Sequence, residues 1–287
     1  MKASANPKTY ETFALTGVTG PPTEKRFCLK LLQGLVLPVF MIVLWEILSG
    51  LGWLNVYLAP PPSQIWDRFL TVAGNGELIR HIEASLLRVV SGFSLALCIA
   101  LPLGFLLGLV PAVRGFLSPS LSFFQQIPGI AWIPMFILWL GIDEASKIAI
   151  IVYSAFFPIF LNTLHGIAST DPKLKEVAYT YGLSRWGLMT RVYLPSAAPS
   201  LFVGMRLGLS YCWRSLVAAE LLGASKGIGY LIQEGREMAQ PDLMLVGVLV
   251  IGLIGLSLDY IFRHLEKRFL PWPEKASADE VPKWQIS

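Results

Sequence analysis

Charged residues are scarce in this chain. Asp, Glu, Lys and Arg make up 15% of its 287 residues and 54% are hydrophobic, whereas a soluble domain is about a quarter charged. The shortage excludes an ordinary soluble domain, and no nucleic-acid partner is expected. Cysteine is sparse too. Cys28 lies in a basic N-terminal stretch, and Cys98 and Cys212 lie inside apolar runs. Thiols so placed exclude a disulfide framework and a thiolate metal site, and read as small packing residues. His81, His165 and His264 share no ligand spacing, so no metal is expected. There is no G-x-x-x-x-G-K-[ST] phosphate loop, so the chain is not expected to bind ATP itself. G-x-S-x-G, H-E-x-x-H and a paired intramembrane aspartate site are missing as well, and no catalytic residue is assigned.

What the chain has in quantity is long apolar runs. A helix needs about 20 residues to cross a bilayer, and these runs are neither short nor alternating, as barrel strands would be. The pattern predicts an all-α polytopic membrane protein with six transmembrane helices. The spans fall at about 31–53, 85–110, 118–142, 145–168, 200–223 and 243–264. Pro128 and Pro134 are expected to bend the third. Around the spans, residues 1–30 read as a flexible tail, 31–84 as the first span plus an outer amphipathic segment, 85–266 as the core, and 267–287 as a second tail. The first apolar run is too long for a signal-peptide core and reads as an uncleaved span.

Basic residues set the orientation. With the N-terminus in the cytoplasm, fifteen lysines and arginines fall inside and five outside, leaving Arg88, Arg206 and Arg214 uncounted within or beside spans. Both termini and residues 171–195 are therefore expected in the cytoplasm. Outside, Ile65, Trp66, Phe69, Leu70 and Val72 form an apolar stripe. It fits equally a helix lying flat in the interface and one packed on the bundle. Glu46, near the outer end of span one, is expected to hydrogen-bond a neighbouring helix.

One stretch breaks the apolar pattern, "EVAYTYGLSRWGLMTRVYLP" at 176–195. Asp171 is suited to cap a helix whose first position is Pro172. Gly182 is suited to the left-handed residue that ends it. Ser184 then caps a second short helix, which Pro195 is expected to stop. The first helix is expected to expose Leu174, Ala178 and Tyr181 on one face. An ordinary cytoplasmic linker would be less ordered than this.

The stretch resembles the EAA loop of binding-protein-dependent ABC importer permeases. In that pattern Glu-Ala-Ala is followed by three residues, Gly, a gap and hydrophobic-x-Leu-Pro. Glu176, Ala178, Gly182, Val192, Leu194 and Pro195 fill those places, and Val177 stands where the pattern most often has Ala. The phrases "SLLRVVSGFSLALCIALPLG", "IPGIAWIPMFILWLGI", "FFPIFLNTLHGI", "LVAAELLGASKGIGYLI" and "RFLPW" extend the likeness over most of 85–272, toward the branch that imports nitrate, sulfonates, taurine and bicarbonate. The resemblance implies a type I ABC importer permease-like bundle in a bacterial inner membrane. It also implies a homodimer, two ABC ATPase subunits that use ATP and Mg, and an extracytoplasmic binding protein. Glu176, Ala178, Gly182, Leu194 and Pro195 would then couple to the ATPase, passing force into spans four and five. The likeness favours an organosulfonate or taurine over nitrate or bicarbonate as the substrate.

Arg214 and Glu220 lie in span five. A buried arginine there costs about 2.5–3.5 kcal/mol on insertion scales and must face protein or water. Six residues leave roughly 240° between the two, so each needs a partner on another element. Arg214, Glu220, Gln125 and Gln126 are the pathway candidates, with a purely structural charge as the alternative for Arg214. "GFLLG" and "GMRLG" allow close helix approach, expected within one subunit for Gly104 and Gly108, and within or between subunits for Gly204 and Gly208. Readings from other classes are a membrane-embedded enzyme using Glu220, Glu46 and Arg214, or a channel or carrier working without ATP.

Overall fold

The computed structural model describes residues 24–269, with side chains from Val36 onward. Residues 1–23 and 270–287, which hold most of the two expected tails, lie outside the described residues, as does the side chain of Cys28. The elements in order are α1 (Glu24–Gly50), α2 (Pro62–Gly74), α3 (Glu77–Leu109), α4 (Pro111–Gln125), a 3-10 turn (Gly129–Trp132), α5 (Ile133–Leu140), α6 (Glu144–Ala168), α7 (Pro172–Thr180), α8 (Arg185–Leu188), a π turn (Met189–Tyr193), α9 (Leu194–Gly223), α10 (Ile228–Glu237) and α11 (Pro241–Phe269). Among the described residues there is no strand. Among the described residues α1 begins at Glu24 and α11 runs to Phe269.

The α6 helix stands at the centre, with α3 on one side and α9 on the other. Lipid tails are as apolar as leucine, so close packing rather than water exclusion holds such helices together. The glycines of both small-xxx-small motifs serve this contact within the chain. A Cβ on Gly104 would lie 2.7 Å from Thr163 Cβ, and one on Gly204 would lie 2.6 Å from Asn162 Cβ. Gly108 and Gly208 likewise press against Ile167 and Ile159 of α6. Ala96 and Ala100 of α3, Ala155 and Ile159 of α6, and Cys212 and Leu216 of α9 are all wholly buried in this seam.

Among the described residues, four helical stretches, built on α3, α6, α9 and α11, are long and apolar enough to cross a membrane, and α4 with α5 makes a fifth only as a broken pair bent by 83°. The apolar part of α1 with described side chains, Val36–Gly50, is shorter. The third expected span, 118–142, is bent at Pro128 as expected, into two helices separated by a 3-10 turn. Pro128 has no N–H to continue α4 and sits in extended conformation at φ −61°, ψ 140°. The hydroxyl of Tyr153 on α6 donates to the carbonyls of Phe124 and Ile127, at 2.6 and 3.2 Å, and so covers backbone the break exposes.

The amphipathic segment before α3 is helical and packed on the bundle. Ile65 and Val72 of α2 are buried, while Trp66 and Leu70 face outward. Glu46 of α1 does make the expected interhelical bonds. Its carboxylate accepts from the Ser63 N–H at 3.1 Å and the Ser63 hydroxyl at 2.8 Å, in the first turn of α2.

Candidate functional site

Two features concentrate the chemistry, one at each end of the bundle. The first is the loop between α6 and α9. Asp171 accepts a bond from the Lys173 N–H at 2.8 Å and Pro172 opens α7. At the far end of α7, Gly182 has φ +66°. Its N–H bonds the Tyr179 carbonyl at 2.9 Å, and the Leu183 N–H bonds the Ala178 carbonyl at 3.1 Å. That pair of bonds is a Schellman ending, which needs a left-handed residue and so favours glycine. Ser184 accepts from the Gly187 N–H at 3.2 Å and starts α8.

Two expectations for this loop need correction. Pro195 does not end the second helix. The chain passes from α8 through the π turn into α9, with Pro195 in the first turn of α9. A proline inside a continuous α-helix clashes with the carbonyl four residues back. Here the Leu194 N–H reaches the Met189 carbonyl, five residues back, and the widened turn just before Pro195 relieves that crowding. The second correction is the exposed face. Ala178 points inward and is buried, while Leu174, Val177 and Tyr181 face solvent. With Tyr179 and Trp186 they place five large apolar groups on an otherwise polar loop, beside the exposed Glu176.

The second feature lies at the opposite end of α9. Glu220 is 1% exposed and sits in a dense polar network. It accepts from the Arg88 guanidinium at 2.6 Å, from the Ser85 hydroxyl at 2.8 Å and from the Gly229 N–H at 2.9 Å. Arg88 also grips Glu144 through two parallel bonds of 2.6 Å and donates to the Lys226 carbonyl at 2.6 Å. The Ile228 N–H donates to the Ser85 hydroxyl, and the Gly227 N–H donates to Nδ1 of His81. With Nδ1 accepting, a neutral His81 ring carries its proton on Nε2, which lies 4.0 Å from Glu77. One arginine thus ties α3, α6, α9 and the segment leading into α10 together, with every charge answered.

Of the pathway candidates, the structure brings Arg214 and Gln125 to a single cavity of about 470 Å³ between the broken α4–α5 pair, α6 and α9. Gln126 is exposed but does not line it, and Glu220 belongs to the buried network. Arg214 and Glu220 do not pair with each other. Glu220 is held by Arg88, and the Arg214 guanidinium lies over the Tyr211 ring at 5.5 Å. Sequence reasoning passed over Arg88, Ser85 and Glu144. The signal was present for Arg88, since an arginine inside a span needs a partner, as argued for Arg214.

Residues 100–271, more than half of the chain, match the family model described as binding-protein-dependent transport system inner membrane component. The chain belongs to that family. It is 36% identical over 272 residues to SsuC of Bacillus subtilis, named for aliphatic sulfonates transport, with 95% of this chain and 98% of that protein covered. It is 34% identical over 237 residues to the taurine transport system permease protein TauC of Escherichia coli, covering 81% and 86% of the two chains. The inward-facing MetNI methionine ABC transporter superposes with a TM-score of 0.53 over 66% of this chain and 95% of that one, at 22% identity, and shares the fold. As a binding-protein-dependent transport component, the chain is a multi-pass ABC importer permease and not an enzyme, and it works with a separate ATPase and a substrate-binding protein.

Proposed function

We propose that two copies of this permease form the membrane channel of an ATP-driven importer for a small organic anion, an organosulfonate. The loop 171–195 and both termini face the cytoplasm, and residues 54–84 and 224–242 face outward. The observation that carries the coupling role is the α7–Gly182–α8 elbow, which presents Leu174, Val177, Tyr181 and Trp186 to solvent beside Glu176. Apolar groups held rigidly on a polar loop suit burial in a groove of another protein. The occupant is the ATPase subunit, which binds ATP with Mg.

The mechanism follows from what the elbow joins. α7 follows α6 after a short turn, and α8 runs through the π turn into α9. A displacement of α7 therefore pulls on the two helices that pack most closely together. Ala178 is buried and α7 packs on the π turn that leads into α9, so it transmits the movement, while Gly182 fixes the angle between the loop helices. Leu194 and Pro195 sit where α9 begins, just past the widened turn that serves as its hinge. The sulfonate reading rests on the likeness to SsuC and TauC.

The test is reconstitution of the permease with its ATPase and binding protein in liposomes, scored by uptake of radiolabelled alkanesulfonate. Uptake that requires ATP and all three proteins is the expected result. Uptake without ATP would remove the importer reading, and uptake of nitrate or bicarbonate in place of sulfonate would remove the substrate.

A further inference from the structure

We propose that His81 is an acid-operated latch: on taking up a second proton it lets go of the Gly227 backbone and frees the segment that leads into α10. The side of the membrane whose acidity it reads, the outer one, rests on the importer reading above. The latch itself does not.

The first observation is the tether. The Gly227 N–H donates to Nδ1 of His81 at 3.0 Å, and both residues are buried. Only a neutral ring can accept this bond. An imidazolium carries a proton on both nitrogens and has no acceptor, whichever way the ring is turned. Protonation and the tether therefore exclude each other. A buried N–H without an acceptor is costly, so the segment has to shift until water reaches it.

The second observation is that the surroundings of the ring are short of positive charge. A nitrogen of His81 and one carboxylate oxygen each from Glu77 and Glu234 lie within 4.8 Å of one another. One oxygen of Glu234 is buried with no hydrogen-bond partner among the described residues. Two carboxylates facing a neutral ring favour a cation there. A metal ion fits poorly. Bound at Nε2, it leaves the ring's proton on Nδ1, where the Gly227 N–H already points. A proton on the ring itself answers both carboxylates.

The third observation is how local the release is. From its own helix the ring is faced by Glu77 and by Arg80, whose like charge opposes protonation. From α10 it is faced by Glu234 and by the Tyr230 ring, stacked at 5.8 Å. Glu220 of α9 is committed to Arg88, and the Lys226 side chain is exposed. The other moorings do not use the imidazole. Arg88 holds the Lys226 carbonyl, and Ser85 and Glu220 hold the N–H groups of Ile228 and Gly229. Acid therefore loosens the stretch before Ile228 while α10 stays docked.

A nitroxide on Ser225→Cys, in a permease–ATPase complex without native cysteines, reads the segment by electron paramagnetic resonance. The Ser225 side chain is exposed, so the label does not disturb the anchorage. Its mobile fraction is expected to rise about threefold from about pH 8 to about pH 5, across the range where histidine titrates. His81→Asn keeps an acceptor that does not titrate, and is expected to hold the segment at both ends of that range. Glu234→Gln removes one carboxylate and is expected to lower the midpoint by about one pH unit. That variant keeps the test decisive where His81→Asn misfolds. A flat response in the wild type, an equal response in a folded His81→Asn complex, or an unmoved midpoint in Glu234→Gln overturns the latch, and a complex that still imports sulfonate leaves the importer reading standing. In liposomes, acid on the side to which the binding protein is added is expected to free the label. A response only to acid on the ATPase side overturns the outward placement and leaves the latch.

Discussion

Arg88 and Glu220 are 132 positions apart in the chain and 2.6 Å apart in the fold. Their pairing closes a polar network at one end of a bundle that is otherwise held by close apolar contact. Removing one member of a buried pair leaves the other without a counter-charge, a loss of about 3–5 kcal/mol. Arg88→Ala is therefore expected to lower the melting temperature of the purified permease and its yield in membranes. Transport per correctly folded molecule should change much less. A variant that folds normally but does not transport would instead put Arg88 in the substrate path.

Gly182→Val is expected to separate assembly from coupling. A β-branched residue at φ +66° is strained by about 1–3 kcal/mol, and the Schellman ending of α7 is lost with it. Nothing stands within 4 Å of a Cβ there, so the effect is conformational and not steric. The permease should insert normally but bind its ATPase weakly, or hold it without substrate-stimulated hydrolysis. Full transport with normal ATPase stimulation would show that the elbow does not carry the coupling.

Gly204→Leu tests the α6–α9 seam. Its Cβ would approach Asn162 Cβ to 2.6 Å and the Pro158 carbonyl to 3.0 Å, and backbone cannot give way as a side chain does. Overpacking of this kind costs about 1–3 kcal/mol. The expected outcome is a lower melting temperature together with a smaller ATPase response to substrate, because α9 is displaced from the helix that shares its loop. Gly252→Leu is the control, as nothing lies within 4 Å of its Cβ.

Orientation is open to cysteine labelling. In a background without native cysteines, Lys226→Cys should react with an impermeant maleimide added to intact spheroplasts. Lys173→Cys should react only after the membrane is opened. Both side chains are exposed, so reactivity reports the side and not burial. Labelling of Lys173→Cys from outside would reverse the topology.

The caps of the loop were readable because each uses neighbours in sequence. Asp171, Gly182 and Ser184 act on backbone groups within five residues, and local chemistry fixes such bonds. Pro195 misled for the same reason. Its breaking effect is a local rule, and the π turn that accommodates it has no residue signature. The Arg88 network was hidden because its partners come from three other parts of the chain. Hydropathy located the apolar run at 118–142 but not the angle of its break, nor that Tyr153 of another helix meets the carbonyls there.

Besides the buried Ile228 side chain, the segment that enters α10 is held by its main chain. The Lys226 carbonyl and the N–H groups of Gly227, Ile228 and Gly229 meet Arg88, His81, Ser85 and Glu220. At 227 and 229 a Cβ would strike the Glu220 side chain, at 2.4 and 2.6 Å, so those two positions are committed to the anchorage. The exposed side chains of Ser225 and Lys226 take no part in it. If that end faces outward, as proposed above, a recognition surface built there can be rewritten residue by residue, to suit a different delivering protein, while the moorings beneath it stay fixed.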